Sequence, residues 1–135
     1  MQSEDSIQDY LNLQIKVMSD LKEKTGTVEK MLDIILEARD HGKQIYVMGN
    51  GGSASTSTHF VSDLLKTSIT KDEKRFKATS LSDNIPVILA WSNDKSYDTI
   101  FVEQLKNFLQ EGDVVIAISG SGNSLNVINA INYAN

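Results

Sequence analysis

Apolar positions recur along this chain with two different periods, and the change of period divides it. In the first part Ile7, Leu11, Ile15, Met18 and Leu21 return at steps of three or four, which predicts a helix over residues 3–24 with Ser3 or Ser6 as its cap. Gly26-Thr27 interrupts the pattern, and Thr27 is placed to cap a second helix with Val28, Met31, Leu32, Ile35 and Leu36 on one face and Gly42 at the position of a C-terminal capping glycine. From residue 44 the pattern shortens. Ile45-Tyr46-Val47-Met48 reads as a strand, and a helix with Ala54, Phe60, Val61, Leu64 and Leu65 inside follows it. After a polar, mixed-charge connection at 67–77 comes a brief second strand at 78–81, and Pro86 then opens the apolar run Val87-Ile88-Leu89-Ala90-Trp91. Residues 92–96 read as a turn or loop and 97–109 as a helix carrying Ile100, Phe101, Leu105 and Leu109. A third strand at 113–118 leads into a last helix with Leu125, Val127, Ile128 and Ile131.

Strands that alternate with helices predict a doubly wound parallel sheet with right-handed crossovers, a flavodoxin-like three-layer α/β/α arrangement. The two helices before the first strand belong to no βαβ unit, so residues 1–43 are expected to form an N-terminal helical hairpin and 44–135 the sheet-and-helix core of a single domain. Apolar stripes at that spacing belong to a core or a subunit interface and need a partner surface. Three strands make a small sheet whose last strand is an open edge, so the core is expected to be incomplete at its C-terminal side.

Composition narrows the function. Hydrophobic residues at 40% and charged residues at 23% of 135 are those of an ordinary soluble domain. A net charge of −5 argues against nucleic acid and against anionic membrane as partners. The absence of cysteine, of a signal-peptide pattern and of any apolar run near 18 residues makes the cytoplasm the expected location.

The candidate chemistry lies in two strand-to-helix turns, Gly49-Asn50-Gly51-Gly52-Ser53 and Ser119-Gly120-Ser121-Gly122-Asn123-Ser124. Each aims the first free N–H groups of a helix, and the positive end of its dipole, at one point, which suits an anion. Gly49, Gly51 and Ala54 formally satisfy a dinucleotide fingerprint, but the acidic residue expected about twenty positions on is misplaced, the strand-end candidate Asp83 lying 34 residues after Gly49. A Walker loop fails because no lysine precedes Ser53. A tight turn without a ligand explains either loop alone, but not the hydroxyls of Ser53, Ser119, Ser121 and Ser124 together. Hydroxyl and backbone donors without a neighbouring cation suit a phosphate monoester.

These residues carry a resemblance. The 49–53 turn, His59-Phe60 with Asp63-Leu64, Ser82-Asp83, Asn93-Asp94, Glu111-Gly112-Asp113-Val114 and Ile118 with the 119–124 loop are similar to the sugar isomerase (SIS) domain, and more narrowly to the phosphoheptose isomerase group, which interconverts sedoheptulose 7-phosphate and D-glycero-D-manno-heptose 7-phosphate. The resemblance implies that Asn50, Gly51, Gly52 and Ser53 bind the sugar, that Ser119, Gly120, Ser121 and Ser124 cradle the phosphate, and that Asn93 and Asp94 touch the substrate. Asp63 stands where the family usually has a glutamate base, which withdraws the carboxylate by one methylene, roughly 1.5 Å. A proton shift through an enediol is the implied chemistry, with a carboxylate as base. The family's acid, a histidine, belongs with a glutamine to a C-terminal part not found within these 135 residues.

His59 and Asp63 share one helical face and match positions that bind zinc in some relatives, so they are candidate metal ligands, with a plain histidine–carboxylate hydrogen bond as the alternative. No cofactor is otherwise required. The resemblance further implies a homotetramer with active sites at subunit interfaces. Its members also include non-catalytic phosphosugar sensors and partner-binding regulators, which remain the alternative reading.

Overall fold

The computed structural model describes residues 3–135, with side chains from residue 6 onward. It separates into two compact units, residues 1–34 and 35–135. The first holds α1 (Ser3–Lys22) and the start of α2 (Thr25–Asp40). Its apolar residues stay largely in solvent: Ile15 is 64% exposed, Met18 63%, Met31 52% and Leu32 52%. The helices meet differently from the spacing-based expectation, α1 stopping at Lys22 and α2 starting at Thr25 rather than being capped by Thr27. Lys24 N–H bonds back to the Leu21 carbonyl, which closes the turn early, and Gly26 falls in the first helical turn, where N–H groups lack intrahelical partners in any case. Ser6 lies inside α1, and the cap expected of Ser3 falls outside the described side chains.

In the second unit α2 ends as expected at Gly42 (φ 65°). Gly42 N–H bonds to the Arg39 carbonyl and Lys43 N–H to that of Ala38, a Schellman closure that delivers the chain into β1 (Gln44–Gly49). The α3 helix (Gly52–Ser62) follows β1 and continues as a π-helical turn, Asp63–Thr67. Then come β2 (Lys77–Ser80), α4 (Ile85–Asp94), a 3₁₀ turn (Tyr97–Thr99), α5 (Val102–Phe108), β3 (Val114–Ile118) and α6 (Leu125–Ala134).

The sheet order is β2-β1-β3 with both pairs parallel, Gln44 opposite Lys77 and Gly49 opposite Ile118 at the ends of the ladders. The central strand is buried on both faces, which is why it reads as an unbroken apolar run. Tyr46 and Met48 face Ile100 and Phe101 between the 3₁₀ turn and α5, Leu105 of α5 and Val127 of α6, whereas Ile45 and Val47 face Ala38 of α2, Val61 of α3 and Leu64 of the π-helical turn. The expected doubly wound parallel sheet is therefore present, with β3 only half buried along its length.

Two local expectations are corrected. Residues 92–94 are the last turn of α4, which begins early because the Asn84 side chain caps it, accepting the Val87 N–H at 3.3 Å, and Pro86 sits in its first turn. Residues 97–109 do not form one helix: Ser96 is extended, Thr99 Oγ1 donates to the Ser96 carbonyl, and the 3₁₀ turn so formed precedes α5, which Leu109 leaves at ψ 130°.

Candidate functional site

β1 and β3 are neighbours in space although β2 lies between them in the chain, so the direction of winding reverses between them. A crevice opens outside their carboxyl ends, the place where open α/β sheets bind ligands. Because Gly49 pairs with Ile118, the two glycine turns leave the sheet side by side. Gly49 must be glycine, since a Cβ there would stand 2.6 Å from the Ser53 carbonyl oxygen. Gly51 takes φ 53° to swing the chain into α3, where Ser53 N–H closes on the Asn50 carbonyl at 2.9 Å.

The 119–124 loop is braced from within. Ser119 Oγ accepts the Gly122 N–H at 3.1 Å, and Ser121 Oγ accepts the Asn123 N–H at 3.2 Å. A hydroxyl that accepts in this way keeps its own proton for donation. Ser124 holds the N-cap position of α6 but its side chain makes no capping bond, so its hydroxyl is also uncommitted to the helix. Three O–H donors and the N-terminus of a ten-residue helix thus meet at one loop, an arrangement suited to a dianionic group.

The first turn is held by side chains that spacing alone does not single out. Asn50 pairs its amide with that of Asn126, and the Tyr97 hydroxyl donates to Asn50 Oδ1. On the other side Ser82 Oγ donates to the Gly49 carbonyl, and the fully buried Ser57 shares a 2.9 Å hydrogen bond with Ser80. The signal for Asn126 and Ser57 was a polar residue inside an apolar helical stripe, Ser57 between Ala54 and Val61 and Asn126 four before Ala130.

The remaining candidates lie at the end of α4 and around the end of α3. Asn93 and Asp94 bond to each other at 2.8 Å on the exposed last turn of α4. Asp63 opens the π-helical turn, where its Oδ1 accepts from Thr67 Oγ1 at 2.9 Å and its Oδ2 lies 3.4 Å from His59 Nε2, both side chains well exposed. These two residues line an open groove of about 450 Å³ with Ser55, Thr56 and Phe60. A separate groove of about 410 Å³ runs between the 119–124 loop, β3 and α6, lined by Ser119, Gly122, Val127 and Ile128 among others. At 1.5 Å per residue, Asp63 is roughly 15 Å along the helix from Ser53. Histidine and carboxylate make two donors of the kind zinc takes, half of a tetrahedral shell. No group of three or more His, Cys, Asp or Glu is disposed to hold a metal among the described residues, so the pair alone does not fit a closed zinc site.

The profile of the SIS domain matches residues 9–135. The chain belongs to the SIS domain family. Within that family it is 41% identical over 107 residues to a probable phosphoheptose isomerase of Thermoplasma volcanium, covering 79% of this chain and 54% of the relative. It is 34% identical over 135 residues to the phosphoheptose isomerase of Clostridium acetobutylicum, covering 95% of this chain and 68% of the relative. The structure of a phosphoheptose isomerase from Francisella tularensis superposes with a TM-score of 0.91 at 25% identity, over 99% of this chain and 70% of that one. This SIS chain therefore spans between about half and two thirds of the length of the relatives it matches. No helix among its described residues is long and apolar enough to cross a membrane.

Proposed function

We propose that this SIS domain is the phosphosugar-binding core of a phosphoheptose isomerase, which converts sedoheptulose 7-phosphate to D-glycero-D-manno-heptose 7-phosphate through an enediol. The observation that carries the reading is the 119–124 loop, where three hydroxyls and the N-terminus of α6 converge at the switch point of the sheet. Phosphate held there, remote from the reacting carbons, supplies binding energy and orientation. Asn50, Gly51, Gly52 and Ser53 take the sugar, whose enediolate the free N–H groups of the turn stabilise. Asn93 and Asp94 reach the substrate from the end of α4. Relatives named phosphoheptose isomerase support the substrate class.

Asp63 is the base of this reaction, and its place just beyond α3 bears on assembly. A carboxylate roughly 15 Å down the helix from the sugar turn does not serve the crevice of its own chain, so we infer that it acts in a neighbouring copy of a homotetramer. The exposed apolar stripes of residues 1–34 supply the surface for such assembly. His59 orients the Asp63 carboxylate, and zinc binding there needs further ligands from outside the described residues. The location proposed is the cytoplasm.

The test is to incubate the protein, in its full-length form, with sedoheptulose 7-phosphate and follow aldose formation. Replacing Asp63 with Asn should abolish turnover and leave binding intact, and mixing that variant with the Ser121→Ala, Ser124→Ala double variant should restore activity in mixed oligomers. Binding without turnover in the parent would favour the non-catalytic reading, a phosphosugar-binding or partner-binding regulatory module, for which the shortened carboxylate at Asp63 is the supporting observation.

A further inference from the structure

The two glycine turns are joined through a polar cluster centred on Asn50. Asn50 Nδ2 donates to Asn126 Oδ1, and Asn126 Nδ2 donates back to Asn50 Oδ1, each at 2.9 Å. The Tyr97 hydroxyl donates to Asn50 Oδ1 at 2.9 Å, and Asn126 Oδ1 also accepts the Val127 N–H at 2.9 Å. Asn126 is 1% exposed. An amide buried so completely is costly unless satisfied, and its orientation here is dictated by its neighbours, since one end faces two donors and the other an acceptor. Three elements meet in the cluster: the turn after β1, the 3₁₀ turn, and the first turn of α6, which directly follows the 119–124 loop.

We propose that Asn126 and Tyr97 are positioning residues that act through Asn50, clamping the 49–53 turn to the phosphate loop so that one sugar phosphate meets both at a fixed separation. The proposal rests on the reading that the 119–124 loop takes the phosphate and the 49–53 turn the sugar. With Oδ1 of Asn50 accepting twice and Nδ2 donating once, a single amide N–H remains for a sugar hydroxyl, and the clamp sets its direction.

Asn126→Asp keeps the shape of the side chain but sets an acceptor against Asn50 Oδ1, and Tyr97→Phe removes only the hydroxyl. Three measurements on the full chain separate the possibilities. Without ligand, the amides of Ser53, Ala54 and Ser55, which bond to the Asn50 and Gly51 carbonyls, should exchange hydrogen about tenfold faster in Asn126→Asp, with those of Val47 and Ile116 unchanged. Inorganic phosphate, which reads the loop alone, should bind Tyr97→Phe within about twofold of the parent, and its affinity for Asn126→Asp gives the repulsion of the added carboxylate, against which that variant's sugar-phosphate loss is read. Sedoheptulose 7-phosphate should bind about tenfold more weakly to Asn126→Asp and about threefold more weakly to Tyr97→Phe, the scale of one hydrogen bond.

Unchanged exchange together with unchanged sugar-phosphate affinity overturns the clamp. A parent that binds sedoheptulose 7-phosphate no better than inorganic phosphate overturns the phosphosugar reading instead, and faster exchange in Asn126→Asp then still upholds the clamp. Should Asn126→Asp open the whole sheet, the exposed Tyr97→Phe decides, and parental sugar-phosphate affinity in that variant overturns the proposal.

Discussion

At the scale of single residues, contacts at the carboxyl edge of the sheet set what each position tolerates. A methyl group at residue 49 would meet the backbone of Ser53, which cannot move without shifting the first turn of α3. Gly49→Ala is therefore expected to cost about 1–3 kcal/mol, the range of overpacking, read as a lower urea midpoint with an unchanged slope. Ser121 and Ser124 are different in kind. Ser121 is exposed and Ser124 half-buried; the Ser124 side chain does not cap the helix and the Ser121 hydroxyl accepts an N–H that water can satisfy, so replacing both by alanine should leave the urea midpoint close to that of the parent. Calorimetric titration with sedoheptulose 7-phosphate should register the loss instead, about 1.5–3 kcal/mol for each hydrogen bond to the charged phosphate. Parental affinity in the double variant would move the phosphate site to the 49–53 turn.

At the scale of elements, α5 is a seven-residue helix too short to be stable alone, and it is fastened by charge as well as by the burial of Leu105. Glu103, only 12% exposed at its side chain, bonds Lys106 at 3.0 Å and Lys95 at 3.2 Å, tying α5 to the segment after α4. The lysines, Lys106 foremost, hold its carboxyl below the ordinary value of 4.5. A depressed carboxylate stabilises the fold above the unfolded value, and that contribution is lost as pH falls through the folded value. Glu103→Gln should thus lower the melting temperature at pH 7 and converge on the parent at pH 3, checked by thermal unfolding across that range. A constant difference at both ends would assign the effect to packing.

At the scale of the whole molecule, exposed apolar side chains concentrate on α1 and the first half of α2. Ile15 and Met18 on α1, and Met31 and Leu32 on α2, are each more than half exposed, and single chains seldom leave so many large apolar side chains of one segment in solvent. Light scattering at micromolar concentration is expected to report an oligomer, with Ile15→Glu and Met31→Glu together shifting it to the monomer while the sheet keeps its far-ultraviolet dichroism. A monomeric parent would leave the homotetramer without support from this surface.

What the sequence by itself determined was whatever depends on neighbours along the chain. Period, glycine turns and the helix-ending Gly42 predicted three strands, their alternation with helices and the loops at their carboxyl ends, because burial on both faces and positive φ leave marks in residue type. The serines of the 119–124 loop were legible as hydroxyls clustered with glycine at a strand-to-helix turn. Boundaries governed by local competition were not: α4 runs on through residues 92–94 to Lys95, whose N–H still bonds to the Trp91 carbonyl, and Ser96 split the segment after it. Only the tertiary structure decided which distant side chains meet. Strand order set Gly49 beside Ile118, and that juxtaposition brought Asn50, Tyr97 and Asn126 into one cluster across 76 residues of chain. It also set Asp63 beyond the end of α3, roughly 15 Å along the helix from Ser53.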